Sequence, residues 1–154
     1  MKKWKFNGET MTTYDGKTLH RIVATEDFGC VKAGEVGGWI EKEENLCGSA
    51  WVRDSAWVSD SAVVSDSAVV RDSADYITFH GFGSCNRTTT VFKCQDGQLR
   101  VSCGCFLGTV EEFAKKVEET HGESLYGREY KAIIEVIKEH FEDYIKEHEA
   151  EARA

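Results

Sequence analysis

Residues 46–74 read LCGSAW, VRDSAW, VSDSAV, VSDSAV and VRDSA, one six-residue phrase repeated along the chain. An aliphatic residue recurs at Leu46, Val52, Val58, Val64 and Val70, and alanine recurs at Ala50, Ala56, Ala62, Ala68 and Ala74. Asp-Ser begins at Asp54, Asp60, Asp66 and Asp72. A period of six is too short for a helical repeat unit and predicts a short hexapeptide β-solenoid, by repeat type a left-handed β-helix. Alternation along a strand puts Ala50 and Val52 on one side and Trp51 and Arg53 on the other. Valine and alanine suit a narrow triangular core, with Asp and Ser satisfying backbone amides at the corners. Three hexads per coil stack residue i on i+18, so Val52 meets Val70 and Trp51 meets Val69.

Residues 46–75 supply about one and a half coils, too few to bury their own faces. Trp51, Trp57, Val63 and Val69 point outward on all three sides. Such a surface needs cover, from terminal segments of the chain or from identical subunits. The expectation is a homo-oligomer, a trimer before a dimer, with these four residues at the oligomer or domain interface.

On the N-terminal side, residues 1–45 form a β cap that leads into the repeat. Short strands flank Asp15-Gly16, and Ile40 is already in phase with Leu46. On the C-terminal side, residues 76–148 form a small α+β module with a hairpin and two helices, and 149–154 form a frayed tail. Asp96-Gly97 predicts a type I′ turn that pairs Cys94 with Leu99, Phe92 with Val101 and Thr90 with Cys103. Phe92, Leu99 and Val101 then share a core face. Thr109-Val-Glu-Glu112 is a capping box that starts a helix ending at His121-Gly122. A second helix runs from about Gly127 to the late 140s, with Tyr130, Ile133, Ile134, Ile137, Phe141, Tyr144 and Ile145 as its apolar stripe.

The chain has 154 residues, 41% of them hydrophobic and 30% charged, with a net charge of −8. That balance fits a folded chain and argues against an electrostatic grip on nucleic acid or an anionic membrane. The N-terminus lacks the apolar core of a signal peptide, and no stretch approaches the roughly 18 apolar residues of a membrane span. The expectation is a cytoplasmic protein, whose six cysteines are mostly reduced thiols.

Candidate sites follow from residue type. The loop from Gly81 to Thr90 combines small residues with Arg87, Thr88 and Thr90, and has His80 and Phe82 beside it. Arg87 can fork onto a phosphate, the threonines add hydroxyls, and the two rings can stack on a base. An ordinary strand-to-strand loop reads the same way. Cys103 and Cys105 face one way on a strand and could hold zinc with Cys85 or His80, or pack as small hydrophobes. Their spacing is not that of a zinc finger. His121 could be a general base, or a helix-terminal histidine facing the dipole. No histidine lies between His20 and His80, which removes the catalytic residue of hexapeptide acyltransferases and the ligand set of a zinc hydratase. No cofactor is expected.

The stretch GEVGGWIEKEENL followed by hexapeptides resembles small proteins of bacteriophages and prophages. SCNRTTTVFKCQDG with VSCGCFLGTVEEFAKKVEETHGES resembles a module on Firmicutes mobile elements. The resemblance implies a phage origin, a bacterial host cytoplasm and no particular reaction. The function it suggests is a non-enzymatic oligomeric scaffold that engages a host macromolecule to inhibit a defence system. One alternative is a sponge for a linear or cyclic nucleotide signal, using Arg87 and the threonines. Another is a metal-dependent or cysteine enzyme built on Cys103, Cys105 and His121.

Overall fold

The structure, a computed structural model, describes residues 2–71, 75–83, 87–94, 96–104 and 106–153. The chain opens with an antiparallel pair, β1 (Trp4–Thr12) and β2 (Thr18–Ala24), turning at Asp15-Gly16. β3 (Val36–Ile40) adds antiparallel to β2. Three two-residue strands follow from the hexads: β4 (Trp51–Val52), β5 (Trp57–Val58) and β6 (Val69–Val70). Four strands then form an antiparallel meander: β7 (Tyr76–Phe82), β8 (Arg87–Lys93), β9 (Leu99–Cys103) and β10 (Phe106–Thr109). Helices α1 (Val110–His121), α2 (Leu125–His140) and α3 (Glu142–Arg153) complete the described chain.

The hexads keep their spacing but do not make the expected architecture. Trp51 and Val52 pair in parallel with Val69 and Val70, and Trp39 and Ile40 with Trp57 and Val58. A single bridge joins Leu46 to Val64. Each pair is 18 residues apart, as the phrase length requires. Yet the strands are two residues long, and the corners end them. Asp54, Asp60 and Asp66 all sit in the left-handed region, at φ 53°, 57° and 58°. Aspartate tolerates this conformation better than most side-chain-bearing residues, which accounts for its place in the phrase. The corner aspartates thus act through backbone conformation. Asp60 and Asp66 also form ion pairs, with Lys17 at 2.7 Å and Arg100 at 3.3 Å.

The short ladders do not continue into one coil. β5 becomes the edge of a mixed sheet ordered β1-β2-β3-β5, β4 and β6 form a two-stranded sheet, and β10-β9-β8-β7 is the third. The expected hexapeptide β-solenoid, or left-handed β-helix, is therefore corrected. The described residues form a small α+β fold of three sheets and three helices.

The meander has a core on each face. Phe92 and Cys94 join the first core, with Ile22, Ile40, Val52 and Val64. Val91, Leu99 and Val101 join the second, with Phe113, Val117 and Ile137 from the helices. This placement corrects the predicted hairpin register. The turn is one residue longer than a type I′ loop: Cys94 N–H donates to Gln98 O at 3.0 Å, and Gly97 takes φ 81°. Phe92 therefore pairs with Arg100, and Val91 with Val101. Phe92 faces away from Leu99 and Val101 instead of sharing their face.

Two of the four residues assigned to an interface are covered by the chain itself. Trp51 is 1% exposed and meets the Phe28 ring edge-on at 5.7 Å. Val69 is buried. Val63 is half-buried, its N–H donating to Thr90 Oγ1 at 3.0 Å. Trp57 stays 40% exposed. The argument for an oligomer from outward apolar positions thus contracts to Trp57.

At the helical end, the capping box forms as expected. Glu112 N–H donates to Thr109 Oγ1 at 3.2 Å, and Thr109 N–H donates to Glu112 Oε1 at 3.0 Å. The second predicted helix is two. α2 stops at His140, Phe141 adopts φ −103° and ψ 20°, and α3 resumes at Glu142. Buried Phe141 stays in the apolar stripe across the break.

Asn45 is the polar pin of the first core. It is fully buried, donates to Asp60 O at 3.1 Å and Ala62 O at 2.8 Å, and accepts from Lys42 N–H at 2.9 Å. Asn45→Ala would leave those backbone groups unpaired, at a cost of about 1–3 kcal/mol per stranded group. Urea denaturation is expected to show a loss of at least that size, where an exposed Asn7→Ala loses almost nothing.

Candidate functional site

The alternation of β8 distributes the predicted ligand residues over two faces. Thr88 and Thr90 face the hexads. Thr88 Oγ1 lies 2.6 Å from Ser61 Oγ and 2.7 Å from His80 Nδ1, and Thr90 is 1% exposed and bonded to Val63. Thr88 and Thr90 fasten the meander to the repeat, and His80 is held on Thr88 within the meander. Phe82 follows a bulge at Gly81 that shifts the β7–β8 register, and it packs against the helix-side core. Arg87 lies on the helix side, in a cleft of about 300 Å³ bounded by β8, the β9–β10 turn, α1 and α2.

The cleft is assembled by spacing. Phe113, Lys116, Val117, Thr120 and His121 fall on one face of α1 by the three-to-four rule, and all line it. Tyr130 enters from α2, with Cys103 and Phe106 from the meander. Two glycines make room. A Cβ on Gly104 would collide with the Arg87 guanidinium, so this side chain crosses the turn where no side chain stands. A Cβ on Gly83, at φ 80°, would strike the Tyr130 hydroxyl.

Its aromatic wall is ordered. Phe113 meets Phe106 at 5.4 Å and Tyr130 edge-on at 5.6 Å, and His121 stacks on Tyr130 at 5.8 Å and 26°. The Cys103 thiol accepts from Thr89 Oγ1 at 3.3 Å and lies 3.9 Å from the Tyr130 hydroxyl. Burial, with Cys103 beside it, pushes the Tyr130 phenol up to about 12, against the opposing pull of Arg87.

Among the described residues no carboxylate lines this cleft, although the chain has 27 acidic residues and a net charge of −8. Arg87 and Lys116 are its permanent charges. Such a site favours an anion through local field and guanidinium geometry, and the rings can cover an apolar or planar part of the same ligand.

The metal reading gains no partner among the described residues, which contain no group of three or more His, Cys, Asp or Glu placed to hold an ion. Cys105 and Cys85 lie outside the described residues. His80 is on the opposite face of the meander from Cys103, whose strand partner is Thr89. Cys94, paired by sequence with the face of Cys103, is on the hexad side, where burial pushes its thiol up to about 11. His121 does share the cleft with Cys103, but its described contacts are ring contacts with Tyr126 and Tyr130.

Sequence reasoning does not single out Lys116, Thr120 or Phe106, and it reads Tyr130 as part of an apolar stripe that serves the core or, as the lesser reading, a partner-binding helix face. The signal for the first two was present: they share the face that carries Phe113, Val117 and His121. The pairing of that face with β8 is a tertiary fact.

No protein-family model and no curated protein matches the chain.

One buried and one half-buried phenol give the molecule an alkaline limit. Tyr130 and Tyr144 are both pushed up to about 12, chiefly by burial. Each favours the folded state fully below the unfolded value near 10, and that contribution is lost as pH rises toward 12. Urea midpoints are expected to fall from pH 10 to pH 11.5. The fall should be shallower in Tyr130→Phe and Tyr144→Phe, and equal slopes in all three proteins would contradict this.

Proposed function

We propose that the protein acts by binding, carries out no chemistry, and takes a small anionic ligand of nucleotide class in the cleft between the meander and α1–α2. The observation that supports this is the composition of the cleft: Arg87 and Lys116 with Phe106, Phe113, Tyr130 and His121, and no carboxylate among the described residues. Arg87 would anchor a phosphate, Lys116 would add a second charge, and the rings would cover the base or sugar. A volume of about 300 Å³ suits a mononucleotide-sized ligand, at the low end of the range for small-molecule sites.

The cleft supports the nucleotide-sponge reading more than the host-macromolecule scaffold. The phage resemblance joins the two. A phage-derived protein that withholds a nucleotide signal would blunt a host defence without touching a host protein. The cysteine-enzyme reading is weaker, since the thiol's described partners are the Thr89 and Tyr130 hydroxyls and no carboxylate among the described residues lines the cleft to orient His121.

Isothermal titration with 5′-AMP, a cyclic dinucleotide and inorganic phosphate tests the proposal. At least one nucleotide is expected to bind, with affinity reduced about tenfold or more in Arg87→Ala and in Lys116→Ala. Lys115→Ala, on an exposed neighbouring position, should bind as the wild type does. Failure of every probe, or equal affinity in all variants, would overturn the assignment.

A further inference from the structure

A second and larger concavity lies at the other end of the helices. It measures about 910 Å³ and is walled by the β8–β9 turn, the start of α1, the end of α2 and α3. Its apolar residues are Leu99, Val110, Tyr144 and Ile145. Leu99 and Val110 are buried, and Tyr144 is tied to the hairpin by its hydroxyl on Cys94 O at 3.5 Å and by Lys93 Nζ 4.8 Å over its ring.

The charges around it are unbalanced. Asp96, Glu111, Glu135, Glu139 and Glu142 line it against two lysines, Lys138 and Lys146. Both lysines are already engaged, with Glu135 at 3.6 Å and Glu142 at 2.8 Å. Asp96 is held by Arg100 at 2.6 Å. Glu111 and Glu139 have no ion-pair partner among the described residues. Glu139 also stands in the last turn of α2, where the carbonyl end of the helix disfavours a carboxylate. Glu111, in the first turn of α1, is favoured by the amide end of that helix, which leaves Glu139 the least compensated of the five carboxylates that line the groove against two lysines.

We infer that this groove docks a basic peptide segment of a partner protein, its apolar side chains seated over Leu99 and Tyr144 and its lysines or arginines facing Glu111 and Glu139. The argument is charge complementarity: a cationic segment meets the surplus of carboxylates over lysines in the lining, Glu139 above all, and an acidic or purely apolar one does not. The inference is independent of the anion cleft, because the two sites share no lining residue.

The test uses the full chain and a fluorescein-labelled peptide with lysine and leucine at helical spacing, read by anisotropy. A glutamate–leucine peptide serves as its counterpart. The wild type should bind the lysine peptide and reject the glutamate one. Glu111→Gln with Glu139→Gln should weaken binding about tenfold. Glu26→Gln with Glu44→Gln, the same charge change at exposed positions of the N-terminal half, should leave it within about twofold. Equal weakening by the two pairs would reduce the effect to net charge and overturn the inference, and so would an absence of binding. Self-association in sedimentation that Glu111→Gln with Glu139→Gln abolishes would assign the groove to a second copy and overturn it too.

Discussion

The β7–β10 meander must be apolar on both faces, and the rest of the molecule depends on that constraint. Val91 and Phe92 are adjacent and both fully buried, one against the helices and the other against the hexads. A hexad segment whose strands are two residues long has little ladder of its own to rely on. It gains a wall from β8 through Phe92, Cys94 and the Thr90–Val63 hydrogen bond. The helices gain the opposite wall from Val91, Leu99 and Val101. One strand thus belongs to two cores, and its period of two decides which side chain serves which.

The same period decides what can become a site. Arg87 falls on the helix face, where α1 brings Lys116 and His121. Thr88, one residue on, falls on the hexad face and becomes structural through Ser61. A polar cluster contiguous in sequence is therefore divided between a cleft and a seam. The cleft is assembled from side chains far apart in the chain, with Arg87 from β8 and Lys116 from α1 on its rim.

Much of the local structure was legible in the sequence. The six-residue phrase fixes an 18-residue register, and Trp51–Val69 and Val52–Val70 pair at that spacing. The Thr109–Glu112 box starts a helix where its chemistry says it should. The architecture was less legible. Identical phrases do not announce that corner aspartates at positive φ will end each strand after two residues, or that one hexad strand will become the edge of a sheet that is otherwise antiparallel. The hairpin misled for a similar reason. Asp-Gly suits a two-residue turn and also the end of a three-residue one, and the extra residue moves Phe92 from one core to the other. Of the proposed ligand residues, Arg87 reached a cleft with new cationic and aromatic neighbours. No spacing rule within one segment could reveal Lys116 or Tyr130 beside it.

The most direct measurement follows equilibrium urea unfolding by two signals from the two sides of the meander. All four tryptophans lie between Trp4 and Trp57, and the described helices begin at Val110. Tryptophan fluorescence and helical circular dichroism therefore report opposite cores. A shared sheet predicts coincident transitions in the wild type and, in Phe92→Leu, a fall of both midpoints together. A variant in which the tryptophan transition moves and the helical one stays would show two independent units and contradict the account.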